Sequence, residues 1–143
     1  MNLKLLFLIT SLVLLISCTP DNCPDLDYNP EEGITKSDDK LFTGRCLVFH
    51  DIPYEDQIYT IRRYRNGKDH GVWKFYHTNG KLETKGRFID GNRTGKWKYY
   101  YDNGNLFQIS NYKNGQKSGK WIRFDTNKDT IWVRNFKNDI LIN

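Results

Sequence analysis

The chain has 143 residues, a formal net charge of +5, and 15% aromatic residues within a hydrophobic total of 38%. That length fits one modest domain and leaves no room for a large enzyme. The cationic surplus is compatible with an anionic partner or with a solvated basic face.

In chain order, the first element is an apolar run from Leu5 to Ile16, preceded by the single cation Lys4 and followed at once by Ser17, Cys18, Thr19 and Pro20. This is the anatomy of a secretion signal, and the run is too short to span a bilayer, which takes ~20 apolar residues. Leu15-Ile16-Ser17-Cys18 resembles the lipobox of bacterial lipoproteins, in which a small residue precedes the cysteine that is acylated. The resemblance implies a helical signal peptide over residues 1–17, cleavage before Cys18, a diacylglyceryl group on its sulfur, and an exported chain held on the cell membrane or the outer membrane. An ordinary signal peptide with a coincidental cysteine is the plainer alternative. Several acyl chains anchor firmly because each buried methylene contributes ~0.8 kcal/mol.

Residues 18–40 read as an acidic, flexible tether. Between Thr19 and Asp39 there are seven acids against Lys36 alone, together with three of the four prolines. A stretch so poor in apolar side chains buries too little surface to fold by itself. Cys23 and Cys46 remain after processing. In an exported chain they could form one bridge or stay free thiols, since geometry and not number decides bridging.

From residue 41 onward the chain repeats with a period of 24 residues. The columns are Tyr64, Phe88, Tyr112 and Phe136; Gly71, Gly95 and Gly119; and Trp73, Trp97 and Trp121. A worn copy begins at Phe42. Four copies, at about 41–63, 64–87, 88–111 and 112–135, and a closing strand over 136–143 account for the region. Each copy reads as a β-hairpin. Trp73–His77 and Leu82–Phe88 flank Asn79-Gly80, the dipeptide that best tolerates positive φ, and Gly104 repeats it. Asn127-Lys128 in the third well-matched copy predicts a looser turn there. Alternation puts Trp73 and Phe75 on one face of the strand and Lys74 and Tyr76 on the other. The fold expected is all-β: an elongated single-layer antiparallel sheet of stacked hairpins. Its structural core is an aromatic ladder of Trp73, Trp97, Trp121, Tyr64, Phe88 and Tyr112, with turns at Gly71, Gly80, Gly95, Gly104 and Gly119. A lone hairpin is marginal in water, so each unit must bury its rings against its neighbours.

The pattern Tyr/Phe-x-x-Gly-x-x-x-Gly-x-Trp-x-x-Tyr/Phe followed by Asn-Gly resembles the MORN repeat, in the bacterial variant labelled the YwqK-type antitoxin family. The resemblance implies stacked hairpins with no cofactor and no catalytic residues.

The residues themselves show no nucleophile with a base and an orienting group, and no zinc-ligand spacing. The chain therefore reads as a non-enzyme with no metal and no small-molecule substrate. His50 and His77 share a column with Tyr101 and Asp125, which suggests a solvated strand end. Lys74, Lys96, Lys98, Lys120 and Arg87, with Arg93 and Lys117 nearby, could gather into a basic stripe. Such a stripe would serve either as an anion site or as a solvated face that protects sheet edges from aggregation. The function expected is a membrane-anchored scaffold of the cell envelope that presents aromatic and basic side chains to a protein, a glycan or anionic lipid. An antitoxin-like partner of a cognate toxin is the alternative, and export disfavours nucleic acid.

Overall fold

The computed structural model describes residue 23, residues 25–51, residue 53 and residues 56–143. The expected signal peptide and Cys18 lie outside the described residues. The described part is built from β-strands alone, in two antiparallel sheets that do not close into a barrel. The small sheet contains β1 (Asp27–Asn29), β2 (Ile34–Ser37) and β3 (Lys40–Leu41). The large one takes β4 (Gly44–Phe49), β5 (Ile58–Arg65), β6 (Lys68–Asp69), β7 (Gly71–Tyr76), β8 (Leu82–Ile89), β9 (Asn92–Tyr100), β10 (Leu106–Lys113), β11 (Gln116–Lys117), β12 (Gly119–Phe124), β13 (Thr130–Lys137) and β14 (Ile140–Leu141). Its long strands lie in the order β4-β5-β7-β8-β9-β10-β12-β13, so chain neighbours are sheet neighbours throughout.

Two kinds of connection alternate, and the pair of positive-φ residues expected at Asn79-Gly80 is found at the other kind. The type I′ signature, positive φ at both central residues, belongs to Asn66-Gly67, Asp90-Gly91 and Asn114-Gly115, with φ of 50 and 73, 48 and 84, and 50 and 84 degrees. At Asn79-Gly80 only the glycine is left-handed. There His77 donates its N–H to the Lys81 carbonyl and Gly80 its N–H to the His77 carbonyl, which makes a three-residue loop ending in a glycine bulge. Loop length selects the turn, and the dipeptide alone does not reveal it. The turn expected to be looser at Asn127-Lys128 is the same loop. Lys128 takes φ 75 where Gly80 and Gly104 stand in the earlier copies, and Asp125 Oδ1 accepts hydrogen bonds from the N–H groups of Asn127 and Asp129 at 2.9 Å each.

The acidic segment needs a larger correction. Where a flexible tether was expected, β1, β2 and β3 form an antiparallel sheet docked on the first copy. Thr35 donates its N–H to the Gly67 carbonyl at 2.7 Å, Gly67 donates to Phe42 at 2.8 Å, and a disulfide joins Cys23 to Cys46 with their Cα atoms 4.7 Å apart. Leu26 and Phe42 pack on the cluster of Cys46, Tyr64 and Trp73. The segment is too polar to fold alone, but the cystine and two half-buried apolar side chains fasten it to a core supplied by the repeats.

Backbone bonds also link copy to copy along the turn side. Gly91 N–H donates to Asp69 O at 2.8 Å, and Gly115 N–H to Arg93 O at 2.9 Å. The nearest-neighbour coupling required of stacked repeats is thus partly written in the main chain.

Candidate functional site

The first candidate surface is the aromatic face. Its rings form one unbroken zigzag in which, from Tyr64 onward, tryptophan alternates with tyrosine or phenylalanine. From Phe42 the centroids run to Tyr64 (5.5 Å), Trp73 (5.7 Å), Phe88 (4.8 Å), Trp97 (5.1 Å), Tyr112 (6.1 Å), Trp121 (5.2 Å) and Phe136 (5.2 Å). The expected ladder residues all belong to it, but each indole touches the ring column of its neighbours and not the next indole. The edge-to-face geometry suits the ring quadrupoles and contributes ~0.5–1.5 kcal/mol per pair beyond area burial. Trp73 and Trp121 donate their indole N–H to the carbonyls of Arg63 and Asn111 at 2.9 Å. Trp97 is the most buried of the three at 1% exposure, and its N–H has no partner among the described residues.

Cations cover the rings at a regular interval. Arg93 lies over Trp97 at 4.6 Å and over Tyr112 at 5.5 Å; Lys117, 24 residues later, lies over Trp121 at 5.2 Å and over Phe136 at 5.3 Å. Neither belongs to the basic stripe with which sequence proximity grouped them. The same column in the first copy holds Asp69, and there Arg62 supplies the cation over Trp73 at 5.3 Å. Desolvation raises the Asp69 carboxyl to about 6 against the opposing pull of Arg62, and desolvation likewise raises the Tyr64 hydroxyl. These side chains and Cys23, Leu26 and Tyr28 line a cleft of about 550 Å³ between the N-terminal segment and the ring face.

The opposite face carries the stripe itself. Register places Lys74 opposite Lys85 and Lys85 opposite Lys98, and side chains of directly paired residues share a face. Arg87 follows Lys85 by two residues and Lys96 precedes Lys98 by two, so alternation puts both on that face as well. Lys120 is on the same side but farther along, paired with Asn135. Four of the five expected cations therefore gather, and Lys120 stands apart. Lys85 was missed, although the pairing of Trp73–His77 with Leu82–Phe88 could have found it. Val72, Lys85, Arg87, Lys96, Lys98 and Tyr100 line a depression of about 300 Å³.

The histidine column is not a solvated strand end. His50 Nε2 bonds the Tyr76 carbonyl at 3.1 Å, His77 Nε2 bonds the Tyr100 carbonyl at 3.1 Å, and Tyr101 donates its hydroxyl to the Phe124 carbonyl at 2.9 Å. Each side chain reaches into the following copy, so the column staples the loop side of the stack. Of the five expected turn glycines, Gly80 and Gly104 lie in the loops, whereas Gly71, Gly95 and Gly119 lie within β7, β9 and β12; all five have positive φ, between 64 and 91 degrees.

Residues 69–90 and 93–114 each match the MORN repeat variant. The two MORN-type segments begin 24 residues apart, which is the period read from the tryptophan column. They cover β7 to β10 and so contain the three strands that bear the lysine row. No curated protein matches the chain. The geometry of the repeats puts packed rings on one face and exposed cations on the other.

Proposed function

We propose that this chain is a binding module of MORN-type repeats, held on the bacterial cell envelope by a lipid on Cys18 and presenting its basic face to a partner in that compartment. The observation that carries the binding reading is the division of labour between faces. The rings are consumed in holding the copies together, whereas Lys85, Arg87, Lys96 and Lys98 are exposed and make no ion pair among the described residues. The anchoring part rests on the apolar run before Cys18 and on its lipobox-like flank. Relation to the YwqK-type proteins belongs to the same reading, since it follows from the repeat pattern.

The test separates anchoring from binding. Cell fractionation with mass spectrometry of the N-terminal peptide should find the wild type in membranes with acylated Cys18. Cys18→Ala should leave the membrane or accumulate as an uncleaved precursor. Normal processing and unchanged membrane retention of the variant would defeat the anchor. Cross-linked envelopes then identify the partner, and recovery of a toxin in place of an envelope component would replace the scaffold reading with neutralisation.

A further inference from the structure

One row of side chains crosses the whole basic face. From edge to edge it reads Leu47, Ile61, Lys74, Lys85, Lys98, Ile109, Ile122 and Val133, each directly opposite the next. The row is apolar except on the three central strands, where it becomes three successive lysines. Like charges placed directly opposite destabilise a sheet. Strands β7, β8 and β9 hold Glu83 as their only acid, and it borders a different cleft, beside Thr84, Tyr99 and Phe107.

Protection of edges does not explain this placement. Lysines that guard against aggregation belong on the outermost strands. Here the lysines are central, while β13, which the two-residue β14 borders only at Phe136 and Lys137, leaves Ile131 and Val133 56% and 47% exposed. The fold concentrates uncompensated charge where the sheet is already paired on both sides, which makes a bounded site and not a diffuse coat.

The geometry points to a linear polyanionic glycan, a uronic acid polymer with one carboxylate on every sugar, lying across the central strands. Neighbouring strands are ~4.8 Å apart, so the ammonium row offers one cation per rung at that spacing, and Arg87 and Lys96 lie in a second row about 7 Å along the strands. Lys85, Arg87, Lys96 and Lys98 line a depression whose walls include Val72 and Tyr100, and Lys74 lines the adjoining one with Val72, Lys85 and Arg87. That shape admits a single chain of sugar rings against an apolar wall, whereas the plane of lipid headgroups would stay above it. The inference rests on the binding-module reading and names the partner of its basic face.

The experiment uses the full chain in neutral detergent and measures binding to an oligogalacturonate, to the same oligosaccharide methyl-esterified, and to vesicles of phosphatidylglycerol with phosphatidylcholine. The free acid should bind and weaken as salt rises, and the ester should not bind. Lys74→Gln/Lys85→Gln/Lys98→Gln should lose affinity by roughly tenfold or more. Lys36→Gln/Lys40→Gln/Lys128→Gln, which removes equal charge away from the row, should stay within about threefold. Circular dichroism and melting confirm that both variants fold. Equal loss in the two variants, binding of the ester, or binding of vesicles in place of the glycan each overturns the inference. Since the assay does not use the lipid on Cys18, its failure leaves the anchor standing, and loss of the anchor leaves the glycan result standing.

Discussion

Trp97 rests on the backbone of Gly86: a β-carbon added at that glycine would fall inside the indole ring. On its other side the register pairs Trp97 with Ser110, which is fully buried. The column that supplies these two neighbours reads Arg62, Gly86, Ser110 and Arg134, smallest in the middle and largest at the ends. Two small side chains let the central indole sink to 1% exposure while Trp73 and Trp121 stay at 6% and 7%.

Gly86→Ala should therefore destabilise by about 1–3 kcal/mol, the usual cost of forcing an extra group into a packed core. Gly86 is not among the glycines with positive φ, so the loss would report packing and not backbone strain. Urea unfolding of the variant against the wild type reads it directly.

Lys128 makes the opposite case. It holds a left-handed conformation that costs a non-glycine residue about 1–2 kcal/mol, at a position where the other loops have glycine. Lys128→Gly should stabilise by about 0.5–1 kcal/mol once the greater freedom of glycine in the unfolded chain is offset. A rise in the urea midpoint with an unchanged slope is the expected result.

Asp69 gives a dependence on pH. Its carboxyl is raised from the ordinary 3.8 to about 6, first by desolvation, so the folded chain keeps a proton that the unfolded chain has released. The protonated form is the one the fold tolerates. Its contribution is fully present below pH ~4 and is lost as pH rises through about 6. Asp69→Asn should match the wild type near pH 4 and exceed it in stability at pH 7, as melting measured across that range would show.

How much was legible follows from what recurs. The period, the all-β fold and the ring columns show because Trp73, Trp97 and Trp121 repeat with their turn residues, and selection of one side-chain type at one interval is visible without coordinates. Loop geometry was hidden, because Asn66-Gly67 and Asn79-Gly80 are the same dipeptide in loops of different length. The docked segment Asp27–Leu41 was hidden too, since composition describes what a segment can bury by itself and not what a disulfide to Cys46 lets it share. Lys85 lies outside the expected stripe because neighbourhood in the chain does not show which residues cross-strand register places opposite one another. His77 reads as a surface residue until its acceptor, the Tyr100 carbonyl in the next copy, is in view.

The claim that the copies are held together by one continuous run of interlocked rings is tested most directly by urea unfolding of Trp97→Ala, read by far-UV circular dichroism. A loss of about 3–5 kcal/mol, in line with truncation of a large buried aromatic, is the predicted result. A midpoint and slope equal to those of the wild type would contradict it.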